Sequence, residues 1–315
     1  MLSAISRCVG LDSGENVSAS SSHDIHLFLC REFTRITSEY PQSLSPAWPG
    51  EEIIKGFTKR SAGLFIYADT LIKFVDKGHP KEQLKSILSG PLHHGSITQL
   101  YRQILDVFFK DPSETVLEAF RKVTGTIILA KIPLHRQDIL HLLDMEPIDL
   151  EHICRGLRSV LGTGDPLRFF HQSFVDFLMK SEGCHSSFLF RNTTQSRSLL
   201  LRSLRIMKDE LEFNICKLET SHVIHDEIPD LKERVGENIS VHLQYACRFW
   251  TEHLKKCDFD DEIAQEVEYF MINEFLYWLE VMSVLREVNQ VGQGLRSVIT
   301  WSKVSVIKKP AKYVR

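Results

Sequence analysis

The chain has 315 residues, 43% of them hydrophobic and 25% charged. These are globular proportions, and they exclude wholesale disorder and a membrane-embedded protein. Lys and Arg number 38 against 41 Asp and Glu, a net charge of −3, which argues against a general nucleic-acid binder with a basic excess. With only 16 Gly and 11 Pro, the chain leans toward helices joined by few tight turns.

Residues 1–22 end in a Ser-rich stretch and are expected to be a disordered leader. From His23 to Glu39 the apolar positions Ile25, Leu29, Phe33 and Ile36 recur at helical spacing. PQSLSPAWPG reads as a loop. Pro49 is expected to start a helix with Glu51 and Glu52 in its first turn, where carboxylates suit the positive end of the helix dipole. A further helix is expected from Ala62 to Val75, stopped by Gly78-His79-Pro80, then a short one through Leu84 and Leu88. Ile97, Leu100, Tyr101, Ile104, Leu105 and Phe108 form a clear amphipathic stripe.

Asp111-Pro112-Ser113-Glu114 reads as a helix start, with Asp111 as cap and Pro112 at the first helical position. A domain boundary is expected there. Helices to Ala130, from Arg136 to Asp144 and from Asp149 to Leu161 follow. Leu167-Arg168-Phe169-Phe170 is short, aromatic and without helical period, and reads as a strand of a small hairpin. His171 to Lys180 is helical again. Three helices, a β element and a closing helix outline a winged-helix domain. Beyond it, a helix carries Leu199, Leu200, Leu204, Met207 and Leu211, residues 221–237 are ambiguous, and later helices carry Tyr245 to Leu254, Val267 to Met271 and Phe275 to Leu285. The expected fold class is therefore mainly α, with helical bundle domains flanking a small winged helix. The expected parts are a leader 1–22, a helical domain 23–110, the winged helix 111–185, a second helical domain 186–302 and a flexible tail 303–315.

The search for chemistry returns little. No Gly precedes Lys-Ser or Lys-Thr, so the sequence contains no P-loop. Gly162-x-Gly164 lacks the third glycine of a dinucleotide fingerprint and reads as a turn. Gly-x-Ser-x-Gly and His-Glu-x-x-His are absent from the sequence. His93-His94, and His135 with His141, lack partners at metal-ligand spacing. Seven cysteines at irregular spacing, with no Cys-x-x-Cys pair, point away from a disulfide framework or zinc site. The acidic run Asp258, Asp260, Asp261 and Glu262 opens a helix and is explained by the helix dipole. No catalytic residue, metal or cofactor is expected. No run of about 18 apolar residues exists, so neither a spanning helix nor a membrane partner is expected, and a cytoplasmic location is the default.

Two motifs carry a resemblance. Gly63-Leu64-Phe65-Ile66-Tyr67-Ala68, and Arg168-Phe169-Phe170-His171-Gln172-Ser173-Phe174-Val175-Asp176-Phe177-Leu178, occur in the order found in fungal NACHT-domain signal-transducing NTPases of the NLR-like (STAND) class. Cys247-Arg248-Phe249-Trp250 and Phe275-Leu276-Tyr277-Trp278-Leu279-Glu280 extend the likeness over residues 24–290. The second motif is similar to the family's Leu-His-Pro-Ser-Phe-x-Asp-Phe-Leu, with Gln172 in place of Pro. The resemblance implies that His171 corresponds to the histidine that contacts the β-phosphate of ADP and holds the switch closed. It also implies that Phe65 occupies the place of a proline that touches adenine in related switches. For this chain by itself, the preferred reading of His171 is as a cap of its helix, with Phe170, Phe174 and Phe177 in the core, and that of Phe65 is as a core aromatic. The family's P-loop would precede residue 24, so a truncated or degenerate member without NTPase activity is expected. Its partners would be full-length relatives or further copies of itself. Two alternatives remain: a winged helix that binds nucleic acid through Arg155 and Arg158, against which Glu151 and the charge balance weigh, and a cryptic hydrolase.

Overall fold

A computed structural model describes residues 19–89, 97–180, 183–220, 222 and 224–308. Among them are fifteen α-helices and no strand. The described chain divides into two compact units, and three chain segments contribute to each.

The first unit contains α1 (Ala19–Glu39), α2 (Glu51–Ser61), α3 (Phe65–Asp76), α4 (Pro80–Ser89) and α5 (Ile97–Phe108). It also takes in residues 154–163 and 169–189, including α9 (Gln172–Met179). The period-3.6 stripe read from α1 is the buried one: Ile25, Leu29, Phe33 and Ile36 are all essentially inaccessible. Phe33 meets the edge of Trp48 from the following loop and stacks near Phe57 of α2, with centroids 5.5 and 6.4 Å away. The stripe on α5 is likewise inward, through Leu100, Tyr101, Ile104 and Leu105. α3 packs on α1, α4 and α5, and α5 packs on α9.

The second unit contains α6 (Glu114–Leu129), α7 (Arg136–Leu143), most of α8 (Pro147–Gly156) and α10 (Asn192–Glu210). It continues with α11 (Leu231–Asn238), α12 (Val241–Leu254), α13 (Asp261–Asn273), α14 (Phe275–Val284) and α15 (Val288–Lys308). Its centre is the α10–α12 pair, flanked by α6, α7, α13, α14 and α15. Trp250 lies between Phe270 and Trp278, at 4.8 and 6.0 Å. The indole N–H groups of Trp278 and Trp301 donate to the carbonyls of Cys247 (2.9 Å) and Cys257 (3.1 Å). Burying these rings removes large apolar surfaces from water without stranding those two donors.

Several expectations are corrected. The leader expected over residues 1–22 is corrected at its end, since α1 already includes Ala19 to Ser22, and residues 1–18 lie outside the described residues. The helix expected from Ala62 begins at Phe65, because Ala62 (φ 44°) and Gly63 (φ 77°) take left-handed conformations that end α2. Asp111 does not cap α6: its own φ is 48°, and the helix begins at Glu114. α8 ends at Gly156, not Leu161, and residues 157–160 continue as turns with Val160 N–H and Leu161 N–H both donating to the Leu157 carbonyl. The strand read at 167–170 is reduced to one antiparallel bridge, Leu161 to Phe169, with Phe170 N–H donating to Val160 O at 2.9 Å. It does not lengthen, because Leu167 N–H donates instead to Leu134 O in the second unit. Part of the expected tail is helical, since α15 runs to Lys308. His93 and His94 lie outside the described residues.

Candidate functional site

Of the two residues singled out by sequence, His171 lies at the start of α9 and Phe65 at the start of α3. His171 sits in extended backbone (φ −150°, ψ 143°) as the N-cap, and its Nδ1 accepts the Ser173 backbone N–H at 3.0 Å. That occupies one of the unpaired donors at a helix start. The Ser173 hydroxyl is also 2.7 Å from Nδ1 and 2.7 Å from the Tyr101 hydroxyl on α5. Nδ1 is therefore an acceptor, and in the neutral ring the proton belongs to Nε2. Since His171 is exposed, this places a donor at the surface of the helix start.

Tyr101 anchors the network. It is buried, edge-on to Phe174 at 5.0 Å and tilted against Phe177 at 5.6 Å. Burial pushes its phenol pKa up, opposed by hydrogen bonds to Ser173 and Thr70 and reinforced by the Asp69 carboxylate. The phenol thus stays a neutral donor. A chain of hydrogen-bonded groups runs from the core of the unit, through Ser173, to the exposed imidazole. The capping reading of His171 describes this geometry, and Phe174 and Phe177 do pack the core.

Phe170 does not: it is 42% exposed. The ammonium of Lys73 lies 3.8 Å above its ring, and that of Lys77 5.5 Å away. Lys73 is held by Asp69 at 2.7 Å, and Lys77 donates to the Arg158 carbonyl at 3.1 Å. Burial lowers the Lys77 pKa, with Lys73 and Arg158 adding to the effect. Burial also lowers that of Arg158, whose guanidinium lies 5.7 Å from the Phe108 ring. Sequence reasoning missed Tyr101, Lys73 and Lys77, because the α3, α5 and α9 residues that meet here are far apart along the chain.

Phe65 has other surroundings. It is 49% exposed at the first position of α3, tilted against Phe28 of α1 at 4.6 Å. The core positions of this helix are its later residues, from Tyr67 and Ala68 to Phe74 and Val75, so the reading of Phe65 as a core aromatic is corrected.

Other expected features resolve into local structure. The acidic run caps α13: Asp260 Oδ1 accepts from Glu262 N–H and Ile263 N–H at 3.0 and 3.2 Å, and Arg197 of α10 bonds both Asp260 and Glu262. His135 caps α7 reciprocally with Asp138. His141 stacks on His242 at 4.7 Å, and His242 pairs with Glu210 at 2.8 Å. No disulfide joins the described cysteines. Among the described residues, no helix is long and apolar enough to cross a membrane. No protein-family model, curated protein or solved structure matches the chain.

Proposed function

We propose that the chain is a non-catalytic regulatory and interaction module, resembling the helical and winged-helix part of a NACHT-type NTPase switch and working in the cytoplasm. The start of α9 carries this reading. The histidine of the resembling motif is an exposed cap joined by hydrogen bonds to the buried Tyr101, so whatever occupies Nε2 acts on a group that also fixes α9 against α5. A phosphate suits that position by its charge, because a helix start presents unpaired N–H groups and the positive end of the dipole. The chemistry of phosphoryl transfer needs held phosphates and Mg²⁺, and the sequence contains no P-loop to hold them.

The exposed apolar side chains Tyr269, Ile272 and Leu276, at helical spacing along α13 and the start of α14, support a protein partner. Phe65 is expected to line the same regulatory surface as His171 only when a nucleotide-bearing domain is supplied. The test is capture of the purified chain by an ADP-loaded NACHT domain with an intact P-loop, beside an assay of phosphate release from ATP. Capture weakened at least about tenfold (1.4 kcal/mol) by His171→Asn, with phosphate release at background, is the expected result. ATP turnover that His171→Asn abolishes, or capture indifferent to that substitution, refutes the reading.

A further inference from the structure

A second cluster lies in the first unit, on α1 and α2. His26 and Cys30 are four residues apart and so share one face of α1. Glu51, the first residue of α2, comes up beside them. His26 Nε2 is 3.5 Å from Cys30 Sγ and 3.5 Å from Glu51 Oε1, and all three ligand atoms lie within 4.8 Å of one another.

These spacings match the edges of a metal tetrahedron. Zinc bonds of about 2.05 Å to nitrogen, 2.3 Å to sulfur and 2.1 Å to oxygen, at tetrahedral angles, place N and S about 3.6 Å apart and N and O about 3.4 Å apart. Two edges are therefore already set. The third needs a shift of the Glu51 carboxylate, whose side chain is 55% exposed and free to turn. Its neighbour Lys55, at 3.8 Å, is an exposed ion-pair partner that costs little to displace.

The outer partners of the cluster point the same way. Thr58 Oγ1 donates to the Ile54 carbonyl at 2.9 Å. Its hydroxyl proton is spent there, so towards His26 Nδ1, 3.4 Å away, it acts as an acceptor. Nδ1 then carries the ring proton, and the Nε2 lone pair faces Cys30 and Glu51. A histidine that donates one ring nitrogen to an oxygen and aims the other inward is the usual arrangement around a bound metal. A sulfur, a nitrogen lone pair and a carboxylate oxygen then converge with a single thiol proton among them. Burial, and after it the Glu51 carboxylate, push the Cys30 thiol up.

We propose that His26, Cys30 and Glu51 form a binding site for a transition-metal dication of the zinc class, with Thr58 orienting the histidine and solvent filling the fourth position. The mixed N, S, O donor set suits Zn²⁺ or Co²⁺ better than Mg²⁺ or Ca²⁺, which take oxygen ligands. On binding, the Cys30 S–H bond breaks, its proton leaves to solvent, and the sulfur lone pair forms the metal bond. No redox change is involved. The bound ion would tie α1 to the start of α2, and this inference stands independently of the switch reading.

The test uses the full chain, stripped with chelator and titrated with Co²⁺ alone. One equivalent is expected to give the visible bands of four-coordinate cobalt and a thiolate-to-metal charge-transfer band, both erased by Zn²⁺. Cys30→Ser removes the charge-transfer band, and Thr58→Val weakens binding by roughly 10–100-fold, the usual effect of losing an orienting partner. Alkylation mapped by mass spectrometry gives a second readout on the unaltered chain: Zn²⁺ should protect Cys30, the half-buried thiol. Failure to bind cobalt, bands that survive Cys30→Ser, or alkylation of Cys30 indifferent to Zn²⁺ overturns the proposal, and the cluster is then only a local contact between α1 and the start of α2.

Discussion

Replacing His253 by Gln removes an imidazole that the fold holds neutral. His253 lies in α12 with no accessible surface, its Nε2 2.9 Å from the Tyr245 hydroxyl and its Nδ1 without a partner. Burial first, then the nearby charges of Lys131 and Lys256, push its pKa down to about 4, with Glu252 opposing. An unfolded histidine titrates near pH 6.5. Between about pH 6.5 and 4 the unfolded chain therefore binds a proton that the folded chain refuses. Stability falls as the pH drops through that window and recovers as it rises. The gap of roughly 2.5 pH units corresponds to about 3 kcal/mol between neutral pH and pH 4. Gln retains a polar partner for Tyr245 and does not titrate, so it costs a fixed amount at every pH. The assay is urea unfolding followed by the fluorescence of the buried Trp250, Trp278 and Trp301 of the second unit, at several pH values from 7 to 4. The difference in unfolding free energy between wild type and His253→Gln should shrink by about 3 kcal/mol as the pH falls, with the urea dependence unchanged. Carboxylates that titrate in the same range cancel in that difference. Two stability curves running parallel across the range would refute the placement of a neutral, buried imidazole here.

Gly156→Ala should destabilise the first unit by about 1–3 kcal/mol, the range for overpacking. An added Cβ would stand 2.4 Å from Phe109 Cζ and 2.8 Å from Phe108 Cδ1; thermal unfolding by circular dichroism that shows a gain, as helix propensity alone would give, contradicts that packing. Asp260→Ala should cost about 0.5–2 kcal/mol through loss of the α13 cap. Asp260→Asn, which keeps a capping oxygen and loses only the charged pairing with Arg197, should cost less than about 1 kcal/mol. Equal losses for the two substitutions would show that the cap contributes nothing.

Helices were legible where one apolar face repeats for several turns. α1, α5 and α10 bury the residues their periodicity marks, because a stripe at 3.6-residue spacing has one way to leave water. The ends were less legible, since they depend on single backbone conformations. Phe65 sits in an apolar run, yet Ala62 and Gly63 turn left-handed just before it and make it the first residue of α3. A first-turn side chain has no earlier turn of its own helix to cover it, and Phe65 remains half exposed. Asp111 likewise has a capping residue's chemistry but a backbone angle that removes it from the helix. The strand at 167–170 failed for a longer-range reason: aromatic, non-helical sequence marks extended chain, but a ladder needs a continuous partner, and the Leu167 N–H is donated to Leu134 instead.

The site divides along the same line. His171 could be read as a cap because its bond to Ser173 spans two residues, whereas the Ser173–Tyr101 bond spans 72 and depends on how α5 meets α9. The sequence reading passed over His26 and Cys30, four residues apart on α1, because Glu51 joins them only after an eleven-residue loop folds back. Local motifs therefore carry an ambiguity of their own. A histidine two residues before a serine at a helix start satisfies that helix in any protein, so the motif around His171 records capping whether or not a phosphate is ever bound. The imidazole's other nitrogen separates the two roles. Asn caps at least as well as other residues but is too short to present a donor where Nε2 stands. His171→Asn should therefore leave the unfolding midpoint nearly unchanged if the residue's work is capping, and should in addition lose partner capture if the switch reading holds. A substitution that preserves both stability and capture would reduce His171 to its local role, and the resemblance would then describe how helices begin.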